Sequence, residues 1–119
     1  MSVTRAEIDA FFAGLPGTRP GRPPELVSWK VGEKMFACFG DVEDTGGVSV
    51  KTPDAETAAM LIAAGVAEKA PYFHRSWVRF DYDRAAADEV FHRLGRSYDI
   101  VRASLKRADR DALPPREAD

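Results

Sequence analysis

Three lysines, one arginine and one tryptophan are the residues of this chain whose types and spacing suggest chemistry. Lysine and arginine pair with phosphate oxygens, and an indole ring stacks on a base or a sugar. All five lie in predicted strands or at a strand end, so backbone alternation decides where each side chain points. The set is Lys30, Lys34, Lys51, Trp77 and Arg79.

Alternation places most of these cations on one face of a sheet. In the strand predicted over 77–82, Val78 and Phe80 share the core face, so Trp77 and Arg79 point away from it. The same period in the strands over 26–31 and 47–52 turns Lys30 and Lys51 outward, beside Ser28 and Ser49, with Lys34 at the strand edge. The pattern predicts a cationic face that binds DNA or an anion. An ordinary wet face of an antiparallel sheet, where Lys and Arg are common, explains the same residues.

A second hypothesis comes from the strand predicted over 34–40. Its residues 35–39 are apolar on both faces, so one side must be covered or form an apolar floor. The floor favours a different function, a module that binds a small molecule, a small anion or a peptide. The candidate groove residues are Phe36, Tyr72 and His74, close to Cys38 and Trp77.

The elements that position these residues follow the order α-β-β-β-α-β-α. A helix is predicted over 5–14, where Thr4 and Glu7 form a capping box. A loop rich in proline and glycine follows at 16–24. The strands over 26–31 and 34–40 form a hairpin whose two-residue turn begins with Gly32, as a type II′ turn requires. The strand over 47–52 comes next.

The second half of the chain is predicted to alternate helix and strand. Thr52 is the expected N-cap of a second helix that begins at Pro53 and ends at Gly65. A loop over 66–76 leads to the strand over 77–82, and Asp83 is expected to cap a last helix over about 84–107. The fold class is therefore α+β, one antiparallel sheet of about four to five strands packed against helices, with two helices on one face.

Composition predicts one soluble domain over 1–110 and a disordered tail over 111–119. The chain has 119 residues, 45% of them hydrophobic and 30% charged. Residues 1–110 carry 16 basic and 16 acidic side chains, which argues against strong non-specific binding to nucleic acid but leaves room for a local basic patch. The N-terminus lacks a signal-peptide core and no apolar run spans a bilayer, so a cytoplasmic monomer without membrane contact is expected.

Other chemistry has little support in the sequence. His74 and His92 show no metal-ligand spacing with Cys38, and the single cysteine excludes an internal disulfide. The chain has neither a glycine-rich phosphate loop nor a nucleophile elbow. We therefore expect no metal, no cofactor and no catalytic residues.

Short segments in a characteristic order resemble the MmcQ/YjbR family of small bacterial proteins. They are Leu15-Pro16-Gly17, Trp29-Lys30-Val31, Lys34-Met35-Phe36-Ala37, Val48-Ser49-Val50-Lys51, Ala70-Pro71-Tyr72 and Trp77-Val78. The resemblance spans about residues 5–107 and implies a fold like that of CyaY, the bacterial frataxin. It also implies the family's usual description as DNA-binding. His74 matches a family loop histidine only loosely, because the family often has a longer loop ending in His-Trp here.

Overall fold

One antiparallel sheet organises the chain, as seen in a computed structural model that describes residues 3–22, 26–40, 46–71 and 73–114. Its strand order is β1-β2-β3-β4-β6-β5. The strands are β1 (Thr18–Gly21), β2 (Val27–Val31), β3 (Lys34–Gly40), β4 (Gly47–Lys51), β5 (Glu68–Lys69) and β6 (Trp77–Asp81). The helices are α1 (Arg5–Ala13), α2 (Ala55–Ala63), α3 (Ala87–Ala103) and α4 (Arg107–Asp111). The predicted class, α+β with one antiparallel sheet packed against helices, is confirmed.

Two short edge strands were not predicted, which is why the sheet has six strands. β1 lies inside the segment expected to be a loop and pairs with β2, with Pro20 opposite Trp29. Proline, which has no backbone N–H, is tolerated there because one side of an edge strand forms no ladder hydrogen bonds. β5 has only two residues, too few to show alternation, and it pairs with β6.

The core lies between one sheet face and the helices. We call this the core face; its fully buried side chains include Val31, Val48, Val50, Val78 and Phe80. Helix α3 packs against β2, β3 and β4, while α2 packs against β5 and β6. Ile8 and Phe12 of α1 join the same apolar cluster as Ala58 and Leu61 of α2. Core-face burial fixes the register, because a slip of one residue would turn these side chains to the other face.

The helix ends were predicted with mixed success. The capping box of α1 is present, with the Glu7 N–H donating to Thr4 Oγ1. Thr52 does not cap α2, because its hydroxyl is buried and lies 2.6 Å from the Ser76 carbonyl oxygen; Asp54 is the N-cap. Asp83 does not cap α3. Its N–H donates to Asp81 Oδ1 in a turn that delays the helix to Ala87.

A β-bulge in β3 interrupts the side-chain alternation of that strand. Trp29 pairs with Ala37 but Lys30 pairs with Met35, so Phe36 is an additional residue. Beside the bulge, the Phe36 carbonyl and the Lys51 N–H both bond to a side chain of α3. The buried hydroxyl of Ser97 donates to Phe36 O at 2.6 Å and accepts from Lys51 N at 2.9 Å.

The end of the chain differs from the single long helix predicted over about 84–107. The predicted long helix is broken at residues 104–106, and α4 (Arg107–Asp111) follows. Arg102 Nη2 donates to the Leu113 carbonyl at 2.8 Å, which holds this segment against α3. Residues 115–119 of the predicted tail lie outside the described residues. Among the described helices, none combines the length and the apolar character needed to cross a bilayer.

Candidate nucleic-acid interface

Strand register places the predicted outward residues on one face of the sheet. Ser49 is opposite Arg79, and Lys51 is opposite Trp77. Ser28 and Ser49 both lie opposite Cys38 in β3, which links them to the same face. We call this the polar face; it carries Ser28, Lys30, Ser49, Lys51, Trp77 and Arg79. Alternation in β4 and β6 was sufficient to predict it.

Three cations form a row across this face, perpendicular to the strands. Arg19 of β1 is opposite Lys30 of β2, and Lys30 is opposite Met35 of β3. Beyond the bulge, Lys51 occupies the same level on β4, with Trp77 beside it on β6. We call Arg19, Lys30 and Lys51 the basic row. With strands about 4.8 Å apart, Arg19 and Trp77 are separated by roughly 19 Å.

Arg19 was not predicted as a member of the polar face, because β1 was not predicted as a strand. Its guanidinium lies 3.0 Å from Glu33 Oε2, and both side chains are substantially exposed. An exposed pair of this kind contributes little stability, so a phosphate can compete with the carboxylate. Lys30 and Lys51 are half-buried, and Lys51 Nζ donates to Ser76 Oγ at 3.3 Å.

Two predicted cations have other roles. Lys34 does not reach the polar face; its ammonium donates to the carbonyl and hydroxyl of Ser104, where α3 ends. Arg79 is on the polar face, but its guanidinium pairs with Glu68 at 2.5 Å and only 15% of its side chain is exposed. That guanidinium also lies over Gly47, where a side-chain carbon would be 2.5 Å from Arg79 Cζ. Arg79 is therefore neutralised within the sheet.

The tryptophan at the end of the basic row is covered by a second aromatic ring. Trp77 is 9% exposed and stacks on Phe73, with centroids 4.5 Å apart and planes at 21°. Phe73 is half-buried, so it is the ring of this pair with the larger accessible surface. The stack could not be predicted from the sequence, since Phe73 lies in a turn where no periodicity applies.

A hydrogen-bonded turn connects Lys51 to His74. The Ser76 N–H donates to His74 Nδ1 at 3.1 Å, and Ser76 Oγ lies 2.9 Å from the same nitrogen. Nδ1 must therefore be an acceptor, and the Ser76 hydroxyl accepts from Lys51 Nζ. Although a serine, a histidine and a lysine meet here, Ser76 is only 3% exposed. The contacts fix the turn before β6 and hold the Lys51 side chain.

A groove of about 930 Å³ opens beside this turn, between α2, β5 and the start of β6. Its apolar part includes Phe73 and Trp77, together with Ala55, Ala59, Ile62 and Ala70. Five charged or titratable side chains surround that part: Asp54, Glu56, Lys69, His74 and Arg75. The Thr57 N–H donates to Asp54 and lowers the pKa of that carboxyl, which keeps it ionised.

The predicted groove over β3 needs correction. Phe36 is fully buried at the bulge, packed edge-on against Phe12 and Tyr98, so it cannot line an open groove. Cys38 is also buried. Tyr72 lies outside the described residues. His74 lines the groove beside α2 instead. In the part of the chain that the structure describes, no three His, Cys, Asp or Glu side chains cluster as metal ligands do.

Comparisons with known proteins place the chain in a family. A solved structure, Deinococcus radiodurans protein DR2400 with a DUF419 domain, aligns with a TM-score of 0.79 at 22% identity. The alignment covers 93% of this chain and 89% of that one, and at this identity it shows the shared fold alone. A search of curated proteins gave no match. The YjbR family model matches residues 13–100. The chain therefore belongs to the YjbR family.

Proposed function

We propose that this domain binds DNA without catalysing a reaction, as a cytoplasmic monomer, through the basic row on its polar face. The observation that carries the proposal is the register that aligns Arg19, Lys30 and Lys51 at one level of the sheet, ending at the Phe73–Trp77 stack. Cations along a surface combined with aromatic rings are the usual elements of single-strand binding.

The proposal uses a revised set of the predicted residues. Lys30, Lys51 and the Trp77 end of the row are kept, while Lys34 and Arg79 are left out because each has a structural role. Arg75 is added, since it is exposed and lies two residues before Trp77. Phosphate contacts at Arg19, Lys30, Lys51 and Arg75 would track a nucleic-acid backbone along the row.

A binding role explains the Ser76 cluster better than catalysis does. A nucleophilic serine needs a base and an open approach for the substrate. His74 Nδ1 already accepts the backbone N–H of Ser76, and the serine is almost completely buried. We therefore assign the cluster to positioning Lys51 and the turn.

A compact organic anion or a peptide in the groove beside α2 is the second candidate. The mixed charge of the groove rim favours it, because Lys69 and Arg75 can pair with the acidic group of a compact ligand while Asp54 and Glu56 accept hydrogen bonds from its amino groups. The groove volume also lies within the range of about 300–1,000 Å³ that is usual for ligand pockets. Binding of this kind would depend only weakly on salt.

Salt dependence separates the two candidates. A labelled 12-nucleotide single strand and a labelled duplex are titrated with the protein by fluorescence anisotropy at 50 and 200 mM salt. Four phosphate contacts predict a slope of log K against log salt of about −3 for the single strand. The affinity should then fall about 50-fold across this range. No binding of either DNA at 50 mM salt would refute the proposal.

A matched pair of double variants tests the location. Lys30→Gln with Lys51→Gln removes two charges from the basic row, and the slope should fall to about −1.4. Lys106→Gln with Arg107→Gln removes the same charge from exposed positions where α4 begins. The control should keep the steep slope. An equal decrease of the slope in both double variants would mean that net charge, and not the basic row, determines binding.

A further inference from the structure

We infer that the groove beside α2 is a pocket for an unpaired nucleobase at the end of the basic row. This inference rests on the proposed function and adds to it the form of nucleic acid that is recognised. The groove and the row meet at Trp77, which lines the groove and is also opposite Lys51. A strand that follows the row therefore arrives at the groove.

The aromatic side of the groove suits a flat ring. Phe73 and Trp77 are nearly parallel at 4.5 Å, the arrangement of two members of a stack. Since Trp77 is almost fully buried and Phe73 is half-buried, Phe73 is the ring on which a third member can stack. Any base can stack in this way, because every base has a π-face.

Three aliphatic side chains of α2 also line the groove. Ala55, Ala59 and Ile62 follow each other at intervals of four and three residues, so they share one side of α2. The two alanines occupy little of the groove volume. A planar group in the groove can therefore stack on Phe73 and also contact aliphatic side chains of α2.

The charged rim matches the two ends of a nucleotide. Lys69 and Arg75 can pair with phosphate, while Asp54 and Glu56 accept hydrogen bonds from the amino groups of bases. A purely apolar ligand or a simple anion would use only half of these groups. In a duplex the base edges are paired and stacked, so a paired base cannot enter. The geometry therefore favours a single strand or an unpaired strand end.

The test compares an intact 12-nucleotide single strand with an abasic 12-nucleotide strand of the same charge. The intact strand should bind more tightly by about 5- to 150-fold, the range expected for one stacked base. Ala59→Leu should fill the groove from an exposed helix position and abolish this difference. Ala63→Leu is the matched control, since Ala63 is exposed on the same helix and does not line the groove.

A second measurement uses the protein's own fluorescence. The chain has two tryptophans, so Trp29→Phe leaves Trp77 as the sole reporter. Guanosine or cytidine monophosphate should quench Trp77, whereas ribose 5-phosphate and inorganic phosphate should not. Thermal unfolding checks that the variant is folded, because Trp29 Nε1 donates to Asp9 at 2.9 Å.

The outcomes separate the inference from the proposed function. Equal, salt-dependent binding of intact and abasic strands would overturn the base pocket and leave the basic row intact. Quenching by nucleotides without any strand binding would support the pocket and overturn DNA binding. Quenching by ribose 5-phosphate as strong as that by the nucleotides would also overturn the base pocket.

Discussion

Removing the Ser97 hydroxyl should destabilise the protein more than any exposed serine substitution. Ser97 is fully buried, and its hydroxyl serves the Phe36 carbonyl and the Lys51 N–H at 2.6 and 2.9 Å. In Ser97→Ala both backbone groups lose their partner. Each unsatisfied buried group costs about 1–3 kcal/mol, and the better helix propensity of alanine returns about 0.5 kcal/mol.

The net expectation is a loss of about 2–4 kcal/mol in the free energy of unfolding. The lower part of the range is expected because the hydrogen bond from Lys51 N is only partly buried, so water can replace part of it. For a chain of this size the loss corresponds to a fall in Tm of roughly 8–16 °C. Urea unfolding followed by circular dichroism measures it, with an unchanged m-value if only stability changes.

Two further variants distinguish the effect of losing the Ser97 hydrogen bonds from an effect on packing. Ser104→Ala removes the hydroxyl of an exposed residue at the end of the same helix, which bonds to Lys34 Nζ and to the Val101 carbonyl, and should cost about 0.5–1 kcal/mol, less than Ser97→Ala. Ser97→Cys keeps a side chain at the site but donates and accepts only weakly, so it should remain destabilised. A loss below about 0.5 kcal/mol in Ser97→Ala, or full recovery in Ser97→Cys, would refute the assignment.

Three further variants test the fold around the site. Gly47→Ala should lower the unfolding free energy by about 1–3 kcal/mol, because its Cβ would lie 2.6 Å from the Phe80 carbonyl oxygen; Gly46→Ala, where the nearest atom is 3.7 Å away, should be tolerated in the same urea titration. Tyr98→Phe removes a 2.6 Å hydrogen bond to the Pro16 carbonyl and should lower stability by about 1 kcal/mol, with a loss below half of this counting against the bond. In Asp54→Asn the pH dependence is diagnostic. Because the folded pKa of Asp54 is lowered, its charge stabilises the fold above the ordinary value of 3.8, and this contribution disappears as pH falls through the folded pKa. Thermal melts from pH 7 to pH 2.5 should show the wild type losing its advantage over Asp54→Asn at the acidic end, and a constant difference would exclude the charge effect.

The polar face could be predicted because β4 and β6 alternate regularly. Val48 and Val50 on one side leave Ser49 and Lys51 for the other, and the structure pairs these with Arg79 and Trp77 as that pattern requires. Regular alternation is a local property, so one sequence is enough to read it. Alternation could not predict the orientation of Lys34, because the bulge at Phe36 shifts the register between Lys34 and the rest of β3.

The features of the site that could not be predicted from the sequence depend on contacts between distant segments. Phe36 faces Phe12 and Tyr98, which are 24 and 62 positions away in the chain, and their packing removes it from any groove. The partner of Arg79 is Glu68 on a two-residue strand with no periodicity. Arg19 joins the row only because a segment containing proline pairs as an edge strand. Each of these is decided by tertiary structure and leaves no periodic signal.

Residues 1–110 are neutral in total, yet the sheet has a basic row, because charged side chains are distributed unevenly along the strands. At the level of Ser28 and Ser49, the described residues are small buried side chains and one neutralised pair, Arg79 with Glu68. One step along the strands, Arg19, Lys30 and Lys51 lie at a common level. A phosphate backbone interacts mainly with charges within a Debye length of about 8–10 Å, so it responds to the local row more than to the total. The net charge of −2 provides no long-range attraction to DNA, so the register of the β-strands determines where a DNA strand can bind.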